Sequence, residues 1–181
     1  MFIKKVAILI ILIFLLFGCA KMKFVSEFNK EYEKQIDHLS VTVHSPDLDK
    51  HFDDGQREES KLLFSEHLQY DLIKSLEDEN LLVDEFKPVN YQEINEDETE
   101  FLEPDAILRI KENQVTVSIE GIQNIKSLDR LSLECNLVDN DRNLTVWMGT
   151  VDTGGVAVNS DITKVLAEMI KIKLQDDGFL D

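Results

Sequence analysis

The chain has 181 residues, enough for one domain with a real core and too few for two comfortable ones. Apolar residues make up 43%, which suits a globular protein rather than a disordered one. Acidic residues outnumber basic ones 36 to 19, for a net charge of −17. That excess repels phosphates and anionic head groups, so the sequence argues against a nucleic-acid partner and reads mainly as a device for solubility.

The first 18 residues carry Lys4 and Lys5 and then an unbroken apolar run, VAILIILIFLLF. A short positive start before a greasy core is the layout of a signal peptide. From Val6 to Ala20 the run would make about 22 Å of helix, short of the ~30 Å hydrocarbon core. Lys21 and Lys23 follow at once, so the run cannot lengthen without burying charge, and a membrane span is the poorer fit.

The run closes on Leu16-Phe17-Gly18-Cys19. These four residues resemble a bacterial lipobox, with Leu at −3, Gly at −1 and Cys at +1; Phe17 departs from the usual small residue at −2. The resemblance implies recognition of Leu16, Phe17 and Gly18 by the lipoprotein signal peptidase. It also implies a diacylglyceryl group on the Cys19 thiol, cleavage before Cys19 and acylation of its new amine. Several chains at ~0.8 kcal/mol per buried methylene make a stable anchor where a single chain would not. A chain beginning at Cys19 loses Lys4 and Lys5 and becomes two charges more negative. In lipoproteins of enteric type a +2 residue such as Ala20, rather than Asp, implies the outer membrane, here its periplasmic face.

The one other cysteine, Cys135, lies in RLSLECNL, where Leu131, Leu133, Cys135 and Leu137 alternate with Ser132, Glu134 and Asn136. Period two places Cys135 on the apolar face of a strand as an inert buried thiol, rather than in a disulfide to Cys19 at the end of the chain.

Residues 19–38 read as a lipidated N-terminus and tether before a single domain at 39–181. Phe24, Phe28, Tyr32 and Ile36 recur every four residues, so the stretch fits either a docked amphipathic helix or a linker. LSVTV at 39–43 alternates and is β-branched, a strand. SPDLDKHFDDG reads as loop. Between Gln56 and Glu79 the positions Phe64, Leu68, Leu72, Ile73 and Leu76 share one face of an uninterrupted helix. LLVDEF at 81–86 is a short strand, and an acidic loop follows to Pro104.

AILRI, QVTVSIEGI, RLSLECNLV and NLTVWMGTV then read as three or four strands of an antiparallel meander. VDTGGVAVN is a turn. In SDITKVLAEMIKIKLQDDG, Ile162, Val165, Leu166, Met169, Ile170 and Leu174 fall on one helix face, with Ser160 or Asp161 to cap it and Gly178 past its end. The order β-α-β, meander, helix predicts an α/β (α+β) two-layer sandwich: a mixed, mostly antiparallel sheet with two main helices on one face. The first β-α-β is expected to be a right-handed crossover between parallel strands.

The succession FSEHLQYDLIKSL into LLVDEF, PDAILRI, a strand pair ending TVWMGTV and a helix ending LQDDGFL resembles a class of small envelope lipoproteins. Their domains are similar to the N-terminal domain of TolB and the periplasmic domain of the curli-secretion lipoprotein CsgG; penicillin-binding-protein activator lipoproteins are similar too. The resemblance implies binding to other envelope proteins, and it carries no shared catalytic residues.

Four stretches invite a chemical reading. Val151-Asp152-Thr153-Gly154-Gly155 matches the hydrophobic-Asp-Thr-Gly of aspartic proteases, which need two such loops, so Asp152 would have to pair with its copy in a dimer. DNDRNL at Asp139 starts like a calcium loop, but Leu144 stands where Gly is required and Thr150 where Glu is. Glu93, Glu96, Asp97, Glu98 and Glu100 form a charge run that fits a solvated loop. His38, His44, His51 and His67 match no zinc spacing. Trp147 sits among apolar strand residues, where packing explains it.

The expectation is a lipid-anchored, non-enzymatic binding module for another envelope protein, with no metal and no cofactor beyond the lipid on Cys19. Its alternatives are a hydrolase using Asp152 and a carrier of a soluble ligand in an apolar pocket.

Overall fold

Residues 22–33, 35–52, 62–77, 81–85, 103–120, 125–157 and 160–180 are described by the computed structural model. Leu16-Phe17-Gly18-Cys19, the stretch that resembles a lipobox, and the acidic run at 93–100 lie outside them. The elements in chain order are β1 (Lys23–Phe28), β2 (His38–His44), α1 (Pro46–Asp49), α2 (Phe64–Glu77), β3 (Leu82–Glu85), β4 (Ala106–Glu120), β5 (Ile125–Asp139), β6 (Leu144–Thr153), β7 (Val156–Ala157) and α3 (Ser160–Asp176).

One mixed sheet runs β1-β6-β5-β4-β2-β3, with the two-residue β7 paired to β5. β4, β5 and β6 form the expected antiparallel meander, and β1 adds to β6, also antiparallel. β2 lies parallel to both β4 and β3, because the helical segment between β2 and β3 returns the chain to the same end of the sheet. The fold is the α/β arrangement anticipated from the element order.

The alternating residues of the strands supply one side of the core: Leu39 and Val41, Leu108 and Ile110, and Leu131, Leu133, Cys135 and Leu137 are all buried. Against them stand Phe64, Leu68, Leu72 and Leu76 of α2 and Ile162, Leu166, Ile170 and Leu174 of α3. Each such side chain withdrawn from water contributes on the order of 1.5–3 kcal/mol, so both helices are held by their stripes. Val165 departs from the expected face and is 44% exposed.

Two expectations differ from the structure, and the choice between three and four meander strands falls to three. Where the spacing fits an amphipathic helix or a linker, the chain forms β1, which pairs with β6 from Lys23↔Asp152 to Phe28↔Trp147. Four is a multiple of the strand period as well as close to the helical one, so Phe24 and Phe28 share a strand face. AILRI and QVTVSIE are a single strand, β4: Lys111-Glu112-Asn113 is a bulge, with the register shifting between Glu112 and Gln114. The loop after β2 contains one helical turn, α1. Its first amides are taken by a carboxylate from another strand: Glu112 accepts from Asp47 N at 3.0 Å and Leu48 N at 3.2 Å, and from Ser45 Oγ at 2.9 Å. Asp49 in turn accepts from Ser65 N and Oγ, at 2.8 and 2.9 Å, at the start of α2.

Candidate functional site

The sheet leaves a cleft where β1 ends and the chain returns past α3. α3 closes with a Schellman turn: Gly178 N–H donates to Gln175 O and Phe179 N–H to Leu174 O, both at 2.9 Å. Gly178 supplies the left-handed residue this requires, at φ +81°. The turn reverses the chain, setting Asp177 against β1 and β6 and sending Phe179 towards Phe28 and Tyr32.

Asp177 is the hub of that end. Its Oδ2 accepts from Trp147 Nε1 at 2.8 Å and from Ser26 Oγ at 2.5 Å, and its Oδ1 from Lys173 Nζ at 2.8 Å. A carboxylate at a helix C-terminus opposes the helix dipole, and Lys173, one turn back, offsets it. Burial pushes the carboxyl up, but donation from Lys173, Ser26 and Trp147 outweighs that and leaves it below the usual carboxylate range.

Outside the hub, Phe179 stacks on Tyr32 (centroids 6.0 Å) and meets Phe28 edge-on at 5.9 Å. The cleft beside them has a volume of about 780 Å³, with Ile36, Leu81 and Leu180 among its apolar lining and Lys30, Glu33 and Asp37 on its rim. It offers aromatic faces and mixed charge to a ligand or a partner's side chain; Asp177, with its oxygens committed, is a structural member of it.

A second cluster joins β2 and β3. His38 Nε2 lies 2.9 Å from Asp84 Oδ2, and Ser40 Oγ donates to Asp84 Oδ1. The composition is that of a catalytic triad, but the connectivity is not: both His38 and Ser40 address the carboxylate, whereas a triad needs the imidazole between the other two. The cluster fastens a short edge strand. Asp105 holds the same corner by accepting from the amides of Asp37 and His38, at 3.0 and 2.9 Å.

The other residues singled out in the sequence do not converge. Asp152 stands half-buried at the end of β6, opposite Lys23 and Ser132 in the ladders. After it the chain turns: Gly155 N–H donates to Leu128 O at 2.6 Å, and a Cβ on Gly154 would sit 2.4 Å from the Asp129 carbonyl oxygen. Backbone contact therefore accounts for the glycines. Asp139 turns the β5–β6 hairpin by accepting from Arg142 N at 3.0 Å. Cys135 is free and fully buried, and burial raises its thiol far above the ordinary range, with Glu134 adding to the effect. His67 sits against Phe52 with centroids 5.2 Å apart, and among the described residues no three metal-ligating side chains gather. Nor, among those residues, is any helix long and apolar enough to cross a membrane.

What the sequence did not reveal is the open side of β1. Lys23, Val25 and Glu27 are exposed in alternation, and among the described residues no strand lies beyond β1. Only topology makes such a strand an edge.

Among the described residues these features define a two-layer α/β sandwich whose β1 edge lies beside a fastened C-terminal turn. No protein-family model matches the chain, and no curated protein matches its sequence. Among solved structures it is similar to the PelC dodecamer of Paraburkholderia phytofirmans, at 10% identity and TM-score 0.46 over 81% of this chain and 91% of that one. A DUF330-family protein of Xanthomonas campestris gives 12% identity and 0.41 over 82% and 91%. Lipoprotein GNA1162 of Neisseria meningitidis gives 13% and 0.40 over 76% and 96%. Scores below 0.5 carry no inference about function, so the functional reading rests on the residues themselves.

Proposed function

We propose that this chain is a bacterial envelope lipoprotein, anchored through lipid on Cys19, that acts as a non-enzymatic binding module for another envelope protein. The observation that carries the reading is Leu16-Phe17-Gly18-Cys19 closing a short apolar run behind Lys4 and Lys5. The start of β1 supports it. Cys19 and Lys23 are four residues apart, so an extended chain spans at most about 14 Å between them. An anchored Cys19 therefore holds the sheet close to the lipid surface, with the start of β1 as the nearest described element. The outer membrane, periplasmic side, is the proposed location on the strength of Ala20.

Cys19→Ala tests it in cells fed labelled palmitate. The unaltered chain takes the label and sediments with membranes; the variant takes none and does not sediment. A variant that still pellets, with no label in either protein, overturns the anchor. Recovery of the same envelope protein after crosslinking in intact cells supports the module.

A further inference from the structure

β1 has a partner on one side only. It pairs with β6, and among the described residues no strand lies beyond it. Asn29 N–H continues that ladder to Val146 O at 2.9 Å, so the odd-numbered residues spend their backbone groups on β6. The N–H and C=O groups of Phe24, Ser26 and Phe28 point to the open edge. Native proteins blunt such an edge with charge, bulges or cover. Here Val25 is 48% exposed at the centre of the strand, flanked symmetrically by Lys23 and Glu27.

That arrangement is self-complementary. If a second β1 runs antiparallel with Val25 opposite Val25, each Lys23 faces the partner copy's Glu27. Phe24 and Ser26 fall opposite one another and exchange both backbone bonds on each side of the axis. Sliding one strand by two residues loses this match and sets Lys23 or Glu27 opposite the other copy's Val25; sliding by four sets Lys23 or Glu27 opposite its own copy. α3 contributes to the same side. Its contacts to α2 run through Thr163 to Asp71 (2.6 Å), Glu168 from Ser75 (3.3 Å) and Lys171 to the Ser75 carbonyl (3.2 Å). At about 100° per residue, Val165, Met169 and Ile172 then lie on the flank away from α2. Val165 and Ile172 are 44% and 47% exposed, and α3 rests on β1.

We infer that the β1 edge is a homodimer interface: two copies pair their β1 strands antiparallel about a two-fold axis at Val25, fusing two sheets into one. On the helix face of the joined sheet the α3 flanks approach one another across the same axis with Val165 and Ile172, while Val25 meets its copy on the opposite face. The net charge of −17 repels two copies at long range, so pairing forms where the chain is concentrated, as on a shared membrane. The strand geometry itself does not depend on lipidation.

Cysteine crosslinking in the full-length chain, in cells, tests the register. Directly opposed residues of a non-hydrogen-bonded antiparallel pair have Cα atoms about 4.5 Å apart, within disulfide reach. Val25→Cys should shift under mild oxidation to twice the monomer mass. Lys23→Cys alone should not, whereas Lys23→Cys co-expressed with Glu27→Cys should. The unaltered chain is the control for Cys19, and Cys135 is buried. In the Val25→Cys background, Lys23→Glu should reduce the dimer and the further exchange Glu27→Lys restore it. Val25→Cys remaining monomeric while folded, crosslinking to a different protein, or dimerising no better than Lys23→Cys would each overturn the interface.

Discussion

The indole of Trp147 donates to Asp177 across 2.8 Å, tying the middle of β6 to the residue that follows α3. Trp147 is 1% exposed, so its N–H has no water to fall back on. The same carboxylate takes Ser26 from β1 and Lys173 from α3. One side chain thus joins the edge strand, its neighbour and the closing helix. Asp177→Ala leaves the indole donor buried and unmet, at a cost of about 2–3 kcal/mol. For a domain of this size that lowers the melting temperature by about 5–10 °C. A Trp147→Phe/Asp177→Ala cycle should show coupling, because the double variant removes both partners.

The same group makes stability depend on acid. Its folded pKa lies below the unfolded carboxylate value, so its contribution is present above the unfolded pKa and is lost as pH falls through the folded one. Urea midpoints should drop between about pH 5 and pH 3, with other depressed carboxylates such as Glu134, held down chiefly by Asn136, adding to the fall. Asp177→Asn should start lower at pH 6 and lose less over that interval. An unchanged slope would mean that the hub does not bind its proton differently in the two states.

The parts of this fold that sequence revealed are those with one unambiguous period. α2 and α3 carry apolar stripes at 3.6-residue spacing, and β5 alternates cleanly from Leu131 to Leu137. β1 was hidden because Phe24, Phe28 and Tyr32 satisfy two periods at once, and only the β6 ladder chooses between them. The unity of β4 was hidden because a bulge at Asn113 breaks the alternation without breaking the strand. For the cleft, the aromatics at 28, 32 and 179 were visible as residues. Their meeting depends on the left-handed turn at Gly178, which brings chain ends 150 residues apart together.

Glu112 shows how much a bulge can do. The register shift beside it places its carboxylate over the start of α1, a single turn too short to persist alone. Glu112→Ala should cost about 1–2 kcal/mol, in the range of a lost cap. Hydrogen exchange should quicken first at Asp47 and Leu48, whose amides it holds. Glu112→Gln keeps one acceptor and should recover part of the protection. Loss spread evenly over the domain would instead place the effect in the β4 ladder.

The Asp-Thr-Gly-Gly turn gives two variants with opposite expectations. A Cβ at Gly154 meets the Asp129 backbone oxygen at 2.4 Å, and a carbonyl in a strand cannot step aside as a side chain can. Gly154→Ala should therefore displace the turn and cost about 1–3 kcal/mol, the usual toll of overpacking. Asp152, half-buried at the strand end, leaves room for an isosteric amide, and Asp152→Asn should change stability by less than about 0.5 kcal/mol. If the turn served a paired-carboxylate hydrolase, Asp152→Asn would abolish peptide cleavage while leaving the fold intact. Binding and crosslinking unchanged in Asp152→Asn, but weakened in Gly154→Ala, is the result expected of a turn that shapes the β6 end beside β1.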